Sequence, residues 1–255
     1  MATQGYSWFI TGASRGIGFE MKKQLLESPA SHTVVADFNA KERLHIVQMD
    51  VTDPTSIQSG ADEATKIVRD LGIDYLINNA GVVRNLSIFH APLGRKFNVN
   101  SADSDVWCWA RTWDGSTPRS TWMQTPCSGY SRRTSSGPRS SQTRSFLPFL
   151  EKGRKKTIVN ISSLMGSISS DVGAPHASYG IAKAGLNMLT YKMAKERSDI
   201  TTISMCPGWL QTDLGGKNAD HPVSVGVTGI LKTVGALKPE DSGKFLNTKG
   251  EQYPW

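Results

Sequence analysis

Apolar positions along this chain fall into short runs separated by stretches with helical spacing. Residues 7–10 (Ser-Trp-Phe-Ile) stop at a glycine-rich turn, after which Ile17, Met21, Leu25 and Leu26 recur at helical intervals as far as Pro29. Residues 33–36 and 45–50 predict a second and a third strand. Ile57, Ala61, Ala64, Ile67, Val68 and Leu71 put a helix over 54–71. Further strands are predicted at 75–78, 157–161 and 201–205, with a helix over 177–197 before the last of them. Strands alternating with helices predict an α/β fold, a doubly wound, mostly parallel sheet covered on both faces.

Two places break this regularity. Only eight residues separate Val35 from Leu44, whereas a parallel crossover usually needs about a dozen or more with a helix in it. The larger break is 101–145. It holds eleven Ser, six Thr, six Arg and four Trp but no Leu, Ile, Phe or Lys, and its only periodicity is a faint Val106, Ala110, Trp113 stripe. This composition belongs to an irregular insertion, disordered or out of frame with the rest, rather than to the linker of a globular enzyme. A genuine lineage-specific insertion is the other reading. A chain of 255 residues suits one domain spanning 1–255 and not two. Its hydrophobic content of 38% is low for such a domain, as a segment outside the core would make it.

The net charge of +7 raises the question of a nucleic-acid or membrane partner. Residues 101–145 alone supply +3 of it, and no basic run exceeds Arg154-Lys155-Lys156, so the charge reads as a solvated surface with neither partner. The Arg/Trp-rich composition of 101–145 is the sole motive for a single-strand binder. Cys108, Cys127 and Cys206 form an odd, sparse set without metal-ligand spacing, as expected in a reducing compartment. No charged start followed by an apolar run opens the chain, and no stretch of 18 apolar residues occurs, so the expectation is a cytoplasmic protein.

The chemistry concentrates in two motifs. Gly12, Gly16 and Gly18, between a strand and a helix, let the chain turn sharply and a pyrophosphate approach the backbone. The helix N-terminus behind them offers unpaired N–H groups to that anion. Tyr179 and Lys183 stand four residues apart, on one face of the predicted helix. A free tyrosine titrates near pH ~10. A nearby cation stabilises its phenolate, so the pair can exchange a proton with a hydroxyl or carbonyl oxygen.

Together with Asn78-Asn79-Ala80-Gly81, Asn160-Ile161-Ser162-Ser163 and Pro207-Gly208, these motifs resemble the series of the short-chain dehydrogenase/reductase family in order and rough spacing, over about 1–100 and 146–255. Met205-Cys206-Pro207-Gly208-Trp209 and residues 235–243 resemble its small carbonyl reductase and C-factor-like subgroup. The resemblance implies a Rossmann-type fold and hydride transfer between a nicotinamide cofactor and a carbonyl or alcohol of a small molecule. It implies Tyr179 as general acid or base, Lys183 as its partner at the nicotinamide ribose, and Ser163 rather than Ser162 holding the substrate oxygen. It also implies Asn100, closing Phe97-Asn98-Val99-Asn100, as anchor of a proton-relay water. The cofactor groove would be lined by Gly12, Ser14, Arg15, Gly16, Ile17, Gly18, Asp50, Val51, Asn79, Ala80, Gly81, Pro207, Gly208 and Thr212, with residues 209–225 as the substrate loop. The resemblance also implies a homo-oligomer, as in relatives.

The cofactor cues conflict. Asp37 stands where an acidic residue accepts the ribose 2′-OH of NAD. Arg15 stands where NADP-preferring relatives carry a basic residue. The short crossover weakens Asp37, because Phe38-Asn39-Ala40-Lys41-Glu42-Arg43 reads as the lead-in to the third strand. The balance falls to NADP(H), with NAD possible. The competing functional reading is a catalytically impaired dinucleotide-binding protein, or a defective gene product, in which the ragged segment has cost the fold its catalytic geometry.

Overall fold

The six strands read from the sequence join a seventh in one parallel sheet in the computed structural model, which describes residues 4–36, 43–81, 137–173 and 176–255. In chain order the elements are β1 (Gln4–Ile10), α1 (Gly16–Glu27), β2 (Ser31–Ala36), β3 (Leu44–Ile46), α2 (Pro54–Val68), β4 (Tyr75–Asn78) and α3 (Gly137–Lys152). There follow β5 (Thr157–Ile161), α4 (Ala177–Glu196), β6 (Thr201–Met205), β7 (Leu210–Gln211), β8 (His221–Pro222), α5 (Val223–Gly235) and β9 (Phe245–Leu246). The sheet order is β3-β2-β1-β4-β5-β6-β9, and β7 pairs with β8 separately. The order reverses between β1 and β4. At such a switch point the loops beyond the strand C-termini diverge and leave a crevice.

Alternation along the strands builds two cores. Trp8, Ile10, Val34, Tyr75, Ile77, Val159 and Ile203 face Met21 and Leu25 of α1 and Val227, Ile230 and Val234 of α5. Phe9, Val35, Leu76 and Ile158 face Ala61, Ala64 and Val68 of α2 and Phe146 and Leu150 of α3. Each such fully buried large side chain contributes about 1.5–3 kcal/mol relative to exposure. Asp53 caps α2 by accepting from Thr55 N–H at 2.9 Å, with Pro54 in the first turn, where no N–H is required.

Several expectations are corrected. β3 covers 44–46 rather than 45–50, and residues 47–50 leave the ladder toward the crevice. α2 ends at Val68 and tightens into a 3₁₀ turn, Arg69–Leu71. The short crossover is explained by β3 itself. Three residues long, it pairs only with the C-terminal half of β2, Val34 opposite Leu44 and Ala36 opposite Ile46, so the chain has little height to recover. Residues 137–145, expected to be irregular, are the first turns of α3, and Thr143 is buried. β7, β8, α5 and β9 were not foreseen. No helix of the described residues is long and apolar enough to cross a membrane.

Candidate active site

The described groove and catalytic candidates come from the segments that follow β1, β3, β4, β5, β6 and β7 and from the first turns of α1 and α4. Gly12 has φ +66°, and a Cβ there would come 2.8 Å from Ala80 Cα, so glycine is what lets the loops after β1 and β4 touch. A Cβ on Gly18 would strike the Gly12 carbonyl oxygen and approach Asn79 Nδ2 to 2.7 Å. Asn79 Nδ2 donates to the carbonyls of Thr11 at 3.0 Å and Gly12 at 3.1 Å. Thr11 Oγ1 accepts from the backbone N–H groups of Asn79 and Ala80, both at 3.1 Å. The glycine loop is thus braced from below by the turn after β4. Ser14 and Arg15 are exposed, Ile17 is half-buried, and the first turn of α1 has neither a side-chain cap nor an acidic residue. Its N–H groups are therefore directed at whatever anion enters the loop.

A cavity of about 390 Å³ opens beside this loop, lined by Thr11, Gly12, Ala36, Asp50, Val51 and Ala80 among others. Its Phe9, Ile10, Ala36, Val47, Gln48 and Met49 walls are not among the groove residues expected from the sequence. The clue was available in Val47 and Met49, apolar positions that were assigned to a strand running to Asp50. At the rim, the backbone N–H of Thr52 at 2.8 Å and its hydroxyl at 2.7 Å hold the Asp50 carboxyl below the usual carboxylate range. The close-approach glycines, the uncapped helix end and the cavity fit a dinucleotide: an anion site beside a slot for a flat ring.

Ser163, Tyr179 and Lys183 do not line that cavity; they form a second group, carried by β5 and α4. Lys183 Nζ lies 5.5 Å from the Tyr179 ring centroid and donates to the Ile161 carbonyl at 2.8 Å. That bond ties the ammonium to the end of β5. Ser162 is buried and donates to Asn187, whereas half-buried Ser163 opens a 3₁₀ turn, Leu164–Gly166. Pro207 and Gly208 follow β6, with Gly208 at φ +82°, and Cys206 before them has its thiol pushed up by burial. Thr212 approaches the glycine loop: its Cγ2 would lie 3.6 Å from a Cβ on Gly16. Its hydroxyl accepts from Gly215 N–H at 3.1 Å, folding residues 212–216 into a tight loop. Gly81 is exposed past β4. Asn100, Asp37, Cys108 and Cys127 lie outside the described residues. Among the described residues no group of three or more His, Cys, Asp or Glu could hold a metal ion.

The chain is similar to known proteins in sequence and in fold. A family model described as short chain dehydrogenase matches residues 7–101 and 140–222, passing over most of the Ser/Arg/Trp-rich segment. C-signal of Myxococcus xanthus is 34% identical over 115 residues, 44% of this chain and 69% of that protein. An uncharacterised oxidoreductase of Schizosaccharomyces pombe is 27% identical, with 100% of each chain covered. The structure of an NADPH-bound carbonyl reductase from chicken fatty liver is 29% identical and superposes with a TM-score of 0.78 over 99% of this chain and 95% of that one. Carbonyl reductase Sniffer of D. melanogaster, at 21% identity, shares the fold, with a TM-score of 0.77 over 99% of this chain and 100% of that one.

Proposed function

The chain belongs to the short-chain dehydrogenase family, as an NAD(P)H-dependent oxidoreductase, and we propose that it reduces a carbonyl group of a small molecule, with NADPH preferred and Tyr179 as proton donor. The observation that carries this reading is the meeting of Tyr179, Lys183 and the Ser163 turn on one stretch of α4. The glycine loop and the first turn of α1 would hold the pyrophosphate, and the 390 Å³ cavity the adenosine half, with Asp50 at its rim. Bound there, a reduced nicotinamide supplies the hydride. Ser163 Oγ accepts from Met165 N–H at 3.3 Å, which leaves its own proton to be donated to the substrate oxygen. Tyr179 gives its phenolic proton to the same oxygen as negative charge develops there. The Lys183 ammonium, steadied by the Ile161 carbonyl, stabilises the phenolate that is left. In oxidation the same groups run in reverse.

The test is direct. Purified protein is mixed with NADPH and an activated small carbonyl such as 2,3-butanedione, and cofactor absorbance is followed. Tyr179→Phe is expected to lower turnover by roughly 10²–10⁴-fold while NADPH binding, read by fluorescence, persists. Wild-type protein that binds NADPH and turns over no carbonyl would overturn this reading in favour of an impaired binding protein.

A further inference from the structure

Ser163 is held chiefly through its neighbours. Immediately before it, the Ser162 hydroxyl donates to Asn187 Oδ1 at 2.6 Å. Three residues after it, the Gly166 carbonyl accepts from Asn187 Nδ2 at 3.2 Å. One carboxamide therefore grips both ends of the turn that carries Ser163. Asn187 is 3% exposed and sits on α4 one helical turn beyond Lys183. Two glycines set how closely the turn seats on that helix. A Cβ on Gly166 would come 2.6 Å from the Lys183 carbonyl carbon, and one on Gly180 would come 2.9 Å from the Met165 carbonyl oxygen. The turn thus rests on the helical surface between Tyr179 and Lys183.

We infer that Asn187 is a positioning residue for Ser163: by binding Ser162 Oγ and Gly166 O at once, it fixes the serine hydroxyl against the Tyr179/Lys183 pair. The inference rests on the catalytic reading above. The residue type follows from the task. The site must accept from a hydroxyl and donate to a carbonyl without burying a charge, and a carboxamide does both. Its energetic weight lies in geometry, since a displacement of about 1 Å in a catalytic group can cost roughly 10²-fold in rate.

Thr190 provides the control. It is buried on the same helix, accepts from Asn160 Nδ2 at 2.9 Å and Ser204 Oγ at 2.9 Å, and has no bond to the Ser163 turn. Single-turnover NADPH oxidation by 2,3-butanedione is measured for Asn187→Ala, Ser162→Ala and Thr190→Val, each alone and combined with Ser163→Ala. Asn187→Ala is expected to slow the wild-type rate about 10- to 100-fold with the NADPH dissociation constant unchanged. In the Ser163→Ala background the same substitution should cost less than about threefold, because the group it positions is gone. Thr190→Val should lower the melting temperature and leave the rate in place. Equal losses in both backgrounds, or a Thr190→Val as slow as Asn187→Ala, would overturn the inference and leave the catalytic reading standing. Should Asn187→Ala fail to fold, Ser162→Ala, which removes only a hydroxyl, decides by the same comparison. An inert wild type would overturn the catalytic reading and this inference with it.

Discussion

Arg15 and Asn79 show how differently two residues of one groove behave. Arg15 is 81% exposed, and its Nη1 lies 3.6 Å from an equally exposed Asp213 carboxylate. Such a surface pair contributes little and is screened by salt, so the guanidinium can turn to a phosphate at small cost. A charge-assisted bond to the 2′-phosphate is worth about 1.5–3 kcal/mol. Arg15→Ala should therefore raise KM for NADPH by roughly 10- to 150-fold and that for NADH only slightly. Equal changes for both cofactors would remove Arg15 from the selectivity argument. Asn79, expected along the groove, spends its amide on the carbonyls of Thr11 and Gly12. The motif made its importance readable; which partners it binds depends on the distance between two loops 67 residues apart, which no local pattern encodes. The same holds for Asn187, whose partners Ser162 and Gly166 lie 25 and 21 residues away in the chain.

At the scale of elements, what could be read tracks apolar periodicity. β4, β5 and β6 lie where their short apolar runs put them, and α4 follows its spacing to within a residue. α5 escaped because Gly226 and Gly229 interrupt it, yet those glycines are how it docks. A Cβ on Gly226 would press on the Leu210 side chain, and one on Gly229 would come 2.9 Å from Thr248. α3 escaped because its first turns are Ser- and Arg-rich and its apolar anchors, Phe146 and Leu150, come late. Phe146 is fully buried, with its ring 4.2 Å from that of Phe9. Phe146→Ala should destabilise the protein by about 3–5 kcal/mol, measured by urea denaturation. A loss below about 1 kcal/mol would show that α3 is not docked on the sheet as described.

Across the whole molecule, the end of the sheet opposite the active site is tied by one carboxylate. Asp74 accepts from Ser7 N–H at 2.9 Å, from Arg154 N–H at 2.7 Å and from Arg154 Nη2 at 3.0 Å. Burial alone would raise its pKa, but these bonds outweigh burial and hold it below the usual range. A carboxyl depressed in the folded state adds stability that is present above the unfolded value near ~3.9 and is lost as pH falls through the folded one. Thermal stability should therefore fall steeply below about pH 4, and Asp74→Asn should flatten that acid limb. An unchanged limb would assign acid unfolding to other carboxylates.

The bond from Ser7 to Asp74 spans 67 residues, and the parallel sheet allows nothing shorter, since β1 has β4 as its second neighbour. On a ribosome adding about 5–20 residues per second, β1 emerges roughly 3–13 s before that partner exists. For that interval Trp8, Phe9 and Ile10 stand on a half-finished sheet with an open edge, a template for pairing with another chain. The yield of active protein is therefore set partly during synthesis. It should rise when translation is accompanied by a chaperone that shields nascent chains, and an unchanged yield would show that the open edge does no harm.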